Sequence, residues 1–98
     1  MINTLMLVGR FVDIEEKENS CIIKLIIMRR FKEYGIYKND IINIQVSKGI
    51  STKIKDYIQK NDLVGIRGCL RQVDNKLIAL AQSITLLSDK KEVINETD

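Results

Sequence analysis

The sequence predicts an all-β fold, a five-stranded barrel with one short α-helix between strands 3 and 4. Three observations carry that prediction. Runs rich in Ile, Val and Leu recur between polar clusters, and no proline interrupts them, as strands require. After the third run the apolar spacing changes from alternation to a helical period. Glycines fall inside runs: Gly9 in the first, Gly65 and Gly68 in the fourth. A flat sheet is weakened by glycine there, whereas a strongly coiled barrel needs points at which to bend.

The first run is Thr4 to Val12, the second Cys21 to Arg30 and the third Asp40 to Lys48. The segments between them, the acidic Asp13 to Ser20 and the Gly35-containing Phe31 to Asn39, read as hairpin connections. In the third run Ile42, Ile44 and Val46 alternate with Asn43, Gln45 and Ser47, which gives one core face and one wet face able to carry a ligand. Ile50, Ile54, Tyr57 and Ile58 then recur at helical spacing. That spacing predicts a helix with Ser51 as N-cap, Tyr57 in the core and Asn61 left-handed after the last turn. Leu63 to Gln72 and Leu77 to Leu87 complete the pattern around the tight turn Val73-Asp74-Asn75-Lys76. The order β-β-β-α-β-β is that of the OB-fold, a Greek-key barrel with a helix plugging one end. A small open sheet with one packed helix gives a similar string.

A chain of 98 residues suits one domain, here residues 1–88, followed by a short acidic flexible tail, 89–98. The formal charge of +3 is unevenly spread. Residues 1–88 hold 14 Lys/Arg against 9 Asp/Glu, whereas the tail holds two lysines and four acids. A basic body fits a polyanionic partner, although a modest excess is common in domains that bind none. No stretch reaches the apolar length of a membrane span, and the opening residues lack the pattern of a secretory signal. The expected location is therefore cytoplasmic. Cys21 and Cys69 have no metal-ligand spacing and are expected to be small buried thiols.

The residues also resemble a known family. Ile2-Asn3-Thr4-Leu5-Met6-Leu7-Val8-Gly9-Arg10 is similar to the opening strand of bacterial single-stranded DNA-binding proteins (SSBs), and Ile42-Asn43-Ile44-Gln45-Val46 to their third strand. Ile54 to Gly68 resembles their helix end, turn and following strand. The resemblance spans residues 1–88. It implies an OB-fold, non-sequence-specific binding of single-stranded DNA in replication, recombination or repair, a nucleoid-associated location, no catalysis, and homo-oligomers (dimer or tetramer). It also implies replication or recombination proteins as further partners. The departures are specific. There is no tryptophan, and Ile41 and Ser47 stand where the family usually carries aromatics. The hairpin between the last two strands is short, and the family's partner-recruiting C-terminal tip is missing from this sequence.

What remains aromatic is concentrated. Phe31, Tyr34 and Tyr37 share the second connection with Arg29, Arg30, Lys32 and Lys38, and a single strand needs both cations for phosphates and flat faces for bases. By the resemblance, Phe31 stands at a family stacking position; its alternative is a hydrophobic lid, and that of Tyr34 and Tyr37 a subunit contact. Arg10, Lys24, Lys48, Arg67 and Arg71 fall on predicted strands, where they extend a basic path or simply stay solvated. Asn43 and Gln45 offer hydrogen bonds to a base edge or backbone. With no histidine, no phosphate-cradling glycine loop and no paired nucleophile and base, no enzyme, cofactor or metal site is expected. The competing reading is a primosomal or accessory OB-fold protein that acts mainly through protein contacts and binds single-stranded DNA weakly.

Overall fold

The computed structural model describes residues 1–88 and 93–95, and in it the predicted runs pair as a closed barrel. The elements are β1 (Leu5–Glu16), β2 (Cys21–Met28), β3 (Asn39–Val46), α1 (Lys48–Tyr57), β4 (Leu63–Val73) and β5 (Lys76–Leu86). Their order is β3-β2-β1-β4-β5, antiparallel throughout. The barrel closes by a parallel contact of β3 with β5 at Ile44↔Ala79 and Gln45↔Leu80. This is the OB-fold, with its single α-helix between β3 and β4. No described helix is long and apolar enough to cross a membrane.

The period-2 alternation puts Ile23 and Leu25 of β2, Ile44 and Val46 of β3 and Val64 and Ile66 of β4 into one interior. Each such side chain contributes roughly 1.5–3 kcal/mol on burial. Ile50 and Ile54 of α1 seal one end of it. Gly9 and Gly68 allow the strands to crowd. A Cβ on Gly9 would stand 2.6 Å from the Ile26 carbonyl oxygen, and one on Gly68 only 1.9 Å from that of Leu80. At Gly65 the nearest atom would be a Leu87 methyl at 3.4 Å, so Gly65 is not demanded by packing.

Several expectations need correction. β1 runs on to Glu16 instead of ending at Val12, because a register shift between Phe11 and Asp13 restarts the pairing with β2. The first half of the acidic stretch, Asp13 to Glu16, therefore lies in a strand. β2 ends at Met28, which leaves Arg29 and Arg30 in the connection. Lys48 opens the helix and is not on a strand. The N-cap is Ser47, whose Oγ accepts from the Ile50 amide at 3.3 Å. Ser51 is buried instead; its hydroxyl donates to the Lys48 carbonyl and accepts from the Cys21 thiol. Because Ser51 joins Ile50 and Ile54 on the buried arc, Tyr57 falls at its margin and is half exposed. Cys69 is only partly buried, and both cysteines are free.

Two turns match their sequence signals. Asn61 is left-handed, with φ of 75°, and Asp74 and Asn75 are both at positive φ in the two-residue turn joining β4 and β5. At the amino end the Asn3 side chain donates to the Leu70 carbonyl and accepts from the Leu70 amide, which prolongs the β1–β4 ladder beyond Leu5. A short sixth strand, β6 (Val93–Asn95), pairs antiparallel with Ser83–Thr85 of β5. It falls within the segment expected to be a flexible tail, the rest of which lies outside the described residues.

Candidate nucleic-acid interface

The β2–β3 ladder extends from Cys21↔Val46 to Met28↔Asn39, and the chain then projects as a hairpin arm. Arg29 continues the ladder by one bond, its amide donating to the Lys38 carbonyl at 2.8 Å. Farther out, Glu33 and Ile36 exchange backbone hydrogen bonds across the turn Tyr34-Gly35, both residues at positive φ. Glycine accepts that conformation freely and tyrosine does not. The rings point into solvent: Phe31 is 78% exposed, Tyr34 98% and Tyr37 51%. A lid over the barrel would bury Phe31, and the structure leaves it open.

Cations and rings are interleaved in space as well as in sequence. The Lys32 ammonium lies 5.2 Å from the Tyr37 ring centre and that of Lys38 lies 5.9 Å from Tyr34, within cation–π range. Arg29 is committed elsewhere. Its Nε and Nη2 hold the Asp40 carboxylate at 2.8–3.1 Å and its Nη1 donates to Glu33 at 2.6 Å. These hydrogen bonds lower the Asp40 pKa and raise that of Arg29. Lys38 lies 3.8 Å from Glu33. Among the described residues, Arg30 and Lys32 make no ion pair.

From the root of the arm a groove of about 490 Å³ crosses the barrel wall past Met28, Asn39, Ile26 and Val8 to Arg10. Arg10 lies opposite Ile26 of β2 and Leu63 of β4, and its Nη1 donates to the Asn61 carbonyl at 3.1 Å. Around the wall, Asn43 and Gln45 stand over an apolar floor of Ile22, Leu77 and Ile78 in a depression of about 180 Å³. Arg71 lines a neighbouring polar depression with Gln45, Ser47 and Gln82. Arg67 is set apart, opposite Met6 of β1 and Ser83 of β5. Lys48 is at the start of α1, and Lys24 sits between Asp13 and Asn43 of the adjacent strands.

The structure thus gathers seven predicted residues on the arm, connects Arg10 to them by the groove, and disperses Lys48, Arg67 and Arg71. The wall is more apolar than the sequence suggests: Met6, Val8, Met28 and Ile41 are all more than half exposed. Period-2 alternation was the available signal, since each neighbours an inward-facing residue. Of the two positions where an aromatic was missing, Ile41 is on this outer wall and Ser47 serves as the helix cap.

No protein-family model matches the sequence, and no curated protein matches it. Solved structures do match in fold. The mitochondrial single-stranded DNA-binding protein Rim1 of S. cerevisiae superposes with a TM-score of 0.71 at 19% identity, covering 92% of this chain and all of that one. A small single-stranded DNA-binding protein from Mycoplasma pneumoniae gives 0.69 at 18% identity, covering 94% and 99%. The dimeric N-terminal domain of PriB from Thermoanaerobacter tencongensis gives 0.58 at 22% identity, covering 89% and 98%. The chain shares the barrel of SSB-like proteins across nearly its whole length, at low sequence identity.

Proposed function

We propose that the protein binds single-stranded DNA without sequence specificity, as a non-catalytic OB barrel acting in replication, recombination or repair. Bases stack on Phe31, Tyr34 and Tyr37, while Arg30, Lys32 and Arg10 meet phosphates. The observation that carries this reading is the arm itself, with three exposed rings and free cations on one hairpin beside an open groove. The fold match to proteins described as single-stranded DNA-binding supports it. Arg71, with Asn43 and Gln45, offers a second stretch of backbone contact around the wall. Replacing Phe31 by Ala tests the stacking claim by fluorescence anisotropy with labelled oligothymidine. Affinity is expected to fall by about 1–3 kcal/mol, the worth of one stacked base, with an unchanged unfolding midpoint. Equal affinity in the variant would remove Phe31 from the interface.

The exposed apolar residues Met6, Val8, Met28 and Ile41 favour a second reading, in which the wall is covered by a protein, either another copy or a replication partner. The likeness to a dimeric PriB domain supports it. Sedimentation equilibrium with and without DNA separates the cases. A monomer that coats DNA would contradict assembly through the wall.

A further inference from the structure

Two carboxylates sit among the cations of the arm, which a surface meeting phosphates would ordinarily avoid. Their positions explain them. Between the last ladder bond, Arg29 to Lys38, and the distal Glu33–Ile36 bridge, residues 30–32 and 37 have no described backbone hydrogen bond. Arg29 spans that gap. Its guanidinium grips Asp40 on β3 through two nitrogens, 2.8–3.1 Å from the carboxylate, and reaches Glu33 at the distal bridge with the third. A planar fork holds one carboxylate through two parallel bonds while it reaches the other, a geometry that a lysine ammonium, a compact point charge, does not fix.

We propose that Arg29 is a positioning residue, a strut that fixes the arm so that Phe31 and the tyrosines are presented in register, and that it does not bind phosphate. The part of this inference that concerns DNA rests on the DNA-binding reading above. Holding the rings in place before the strand arrives lowers the ordering cost of binding. Removing the negative charge of Asp40 makes the arm more basic, yet it frees the strut and weakens binding.

Two substitutions and two readouts test it in the intact protein. Asp40→Asn and Arg29→Lys are each expected to lower affinity for labelled oligothymidine by about fivefold, with an unchanged slope of log affinity against log salt. A phosphate-binding Arg29 released from Asp40 would instead tighten binding by Asp40→Asn and steepen that slope by about 0.7. Without DNA, both variants should be cut faster than the parent by trypsin after Arg30 and Lys32. Tighter binding by Asp40→Asn, or full affinity in Arg29→Lys, would overturn the inference, as would unchanged cleavage. If the parent itself fails to bind oligothymidine at low salt, the DNA reading falls, and the cleavage rates alone decide whether Arg29 holds the arm.

Discussion

The glycines inside the runs look equivalent in the sequence, and each suggests a bend. Packing separates them. At Gly68 an added methyl would meet the Leu80 backbone at 1.9 Å, whereas at Gly65 it would reach ordinary contact with a side chain. Backbone atoms in a closed ladder have nowhere to go. Gly68→Ala is therefore expected to destabilise the fold by about 3 kcal/mol, and Gly65→Ala by less than about 1 kcal/mol, both measured by urea unfolding. Tyr57 teaches the converse. Its spacing from Ile50 and Ile54 is helical, yet a buried serine turns the arc and leaves the ring at the edge. A small polar residue carries no apolar signal, so burial of Ser51 could not be read from periodicity. What made it possible is local: its hydroxyl has two partners inside the protein.

The helix and the arm show how neighbouring residues decide an element. Gly49 is a poor helix former and hid the true start at Lys48, two residues before the first periodic isoleucine. Because Ser47 satisfies the Ile50 amide, Ser47→Ala should cost about 1 kcal/mol of stability in a denaturant titration. In the arm, clustering of rings and cations was legible, but the fate of Arg29 was not. Its pairing with Asp40 joins positions 11 apart and depends on hairpin register. The pairing also sets a pH dependence. Arg29 lowers the Asp40 pKa in the folded protein, so the unfolded chain takes up protons first and the stabilisation is complete above the ordinary aspartate value. It is lost only as pH falls through the lower, folded value. The side-chain carboxyl resonance of Asp40 should therefore stay fixed from pH 7 down to about pH 4 and shift below it. A transition centred near pH 6 would contradict the clamp.

For the whole molecule, closure of the barrel comes from the β3–β5 contact, which a string of elements shared with a small open sheet leaves open, whereas the order of elements was legible because it follows from the count of apolar runs and one change of period. The extension of β1 was not. Asp13, Glu15 and Glu16 give that stretch a loop-like composition, while half-buried Ile14 keeps the alternation. Nor was β6 legible, since Val93–Asn95 lies between acids. Charge is the property on which the functional account rests at this scale. If Arg30, Lys32 and Arg10 are the groups that meet phosphates, binding to single strands must depend on salt to an extent set by that small number. The most direct measurement is the anisotropy of labelled oligothymidine titrated with the protein across a salt series. Binding is expected at low salt, with little dependence on base identity and a slope of log affinity against log salt of roughly −2, about −0.7 for each phosphate neutralised. Absence of binding at low salt, or an affinity indifferent to salt, would contradict this reading.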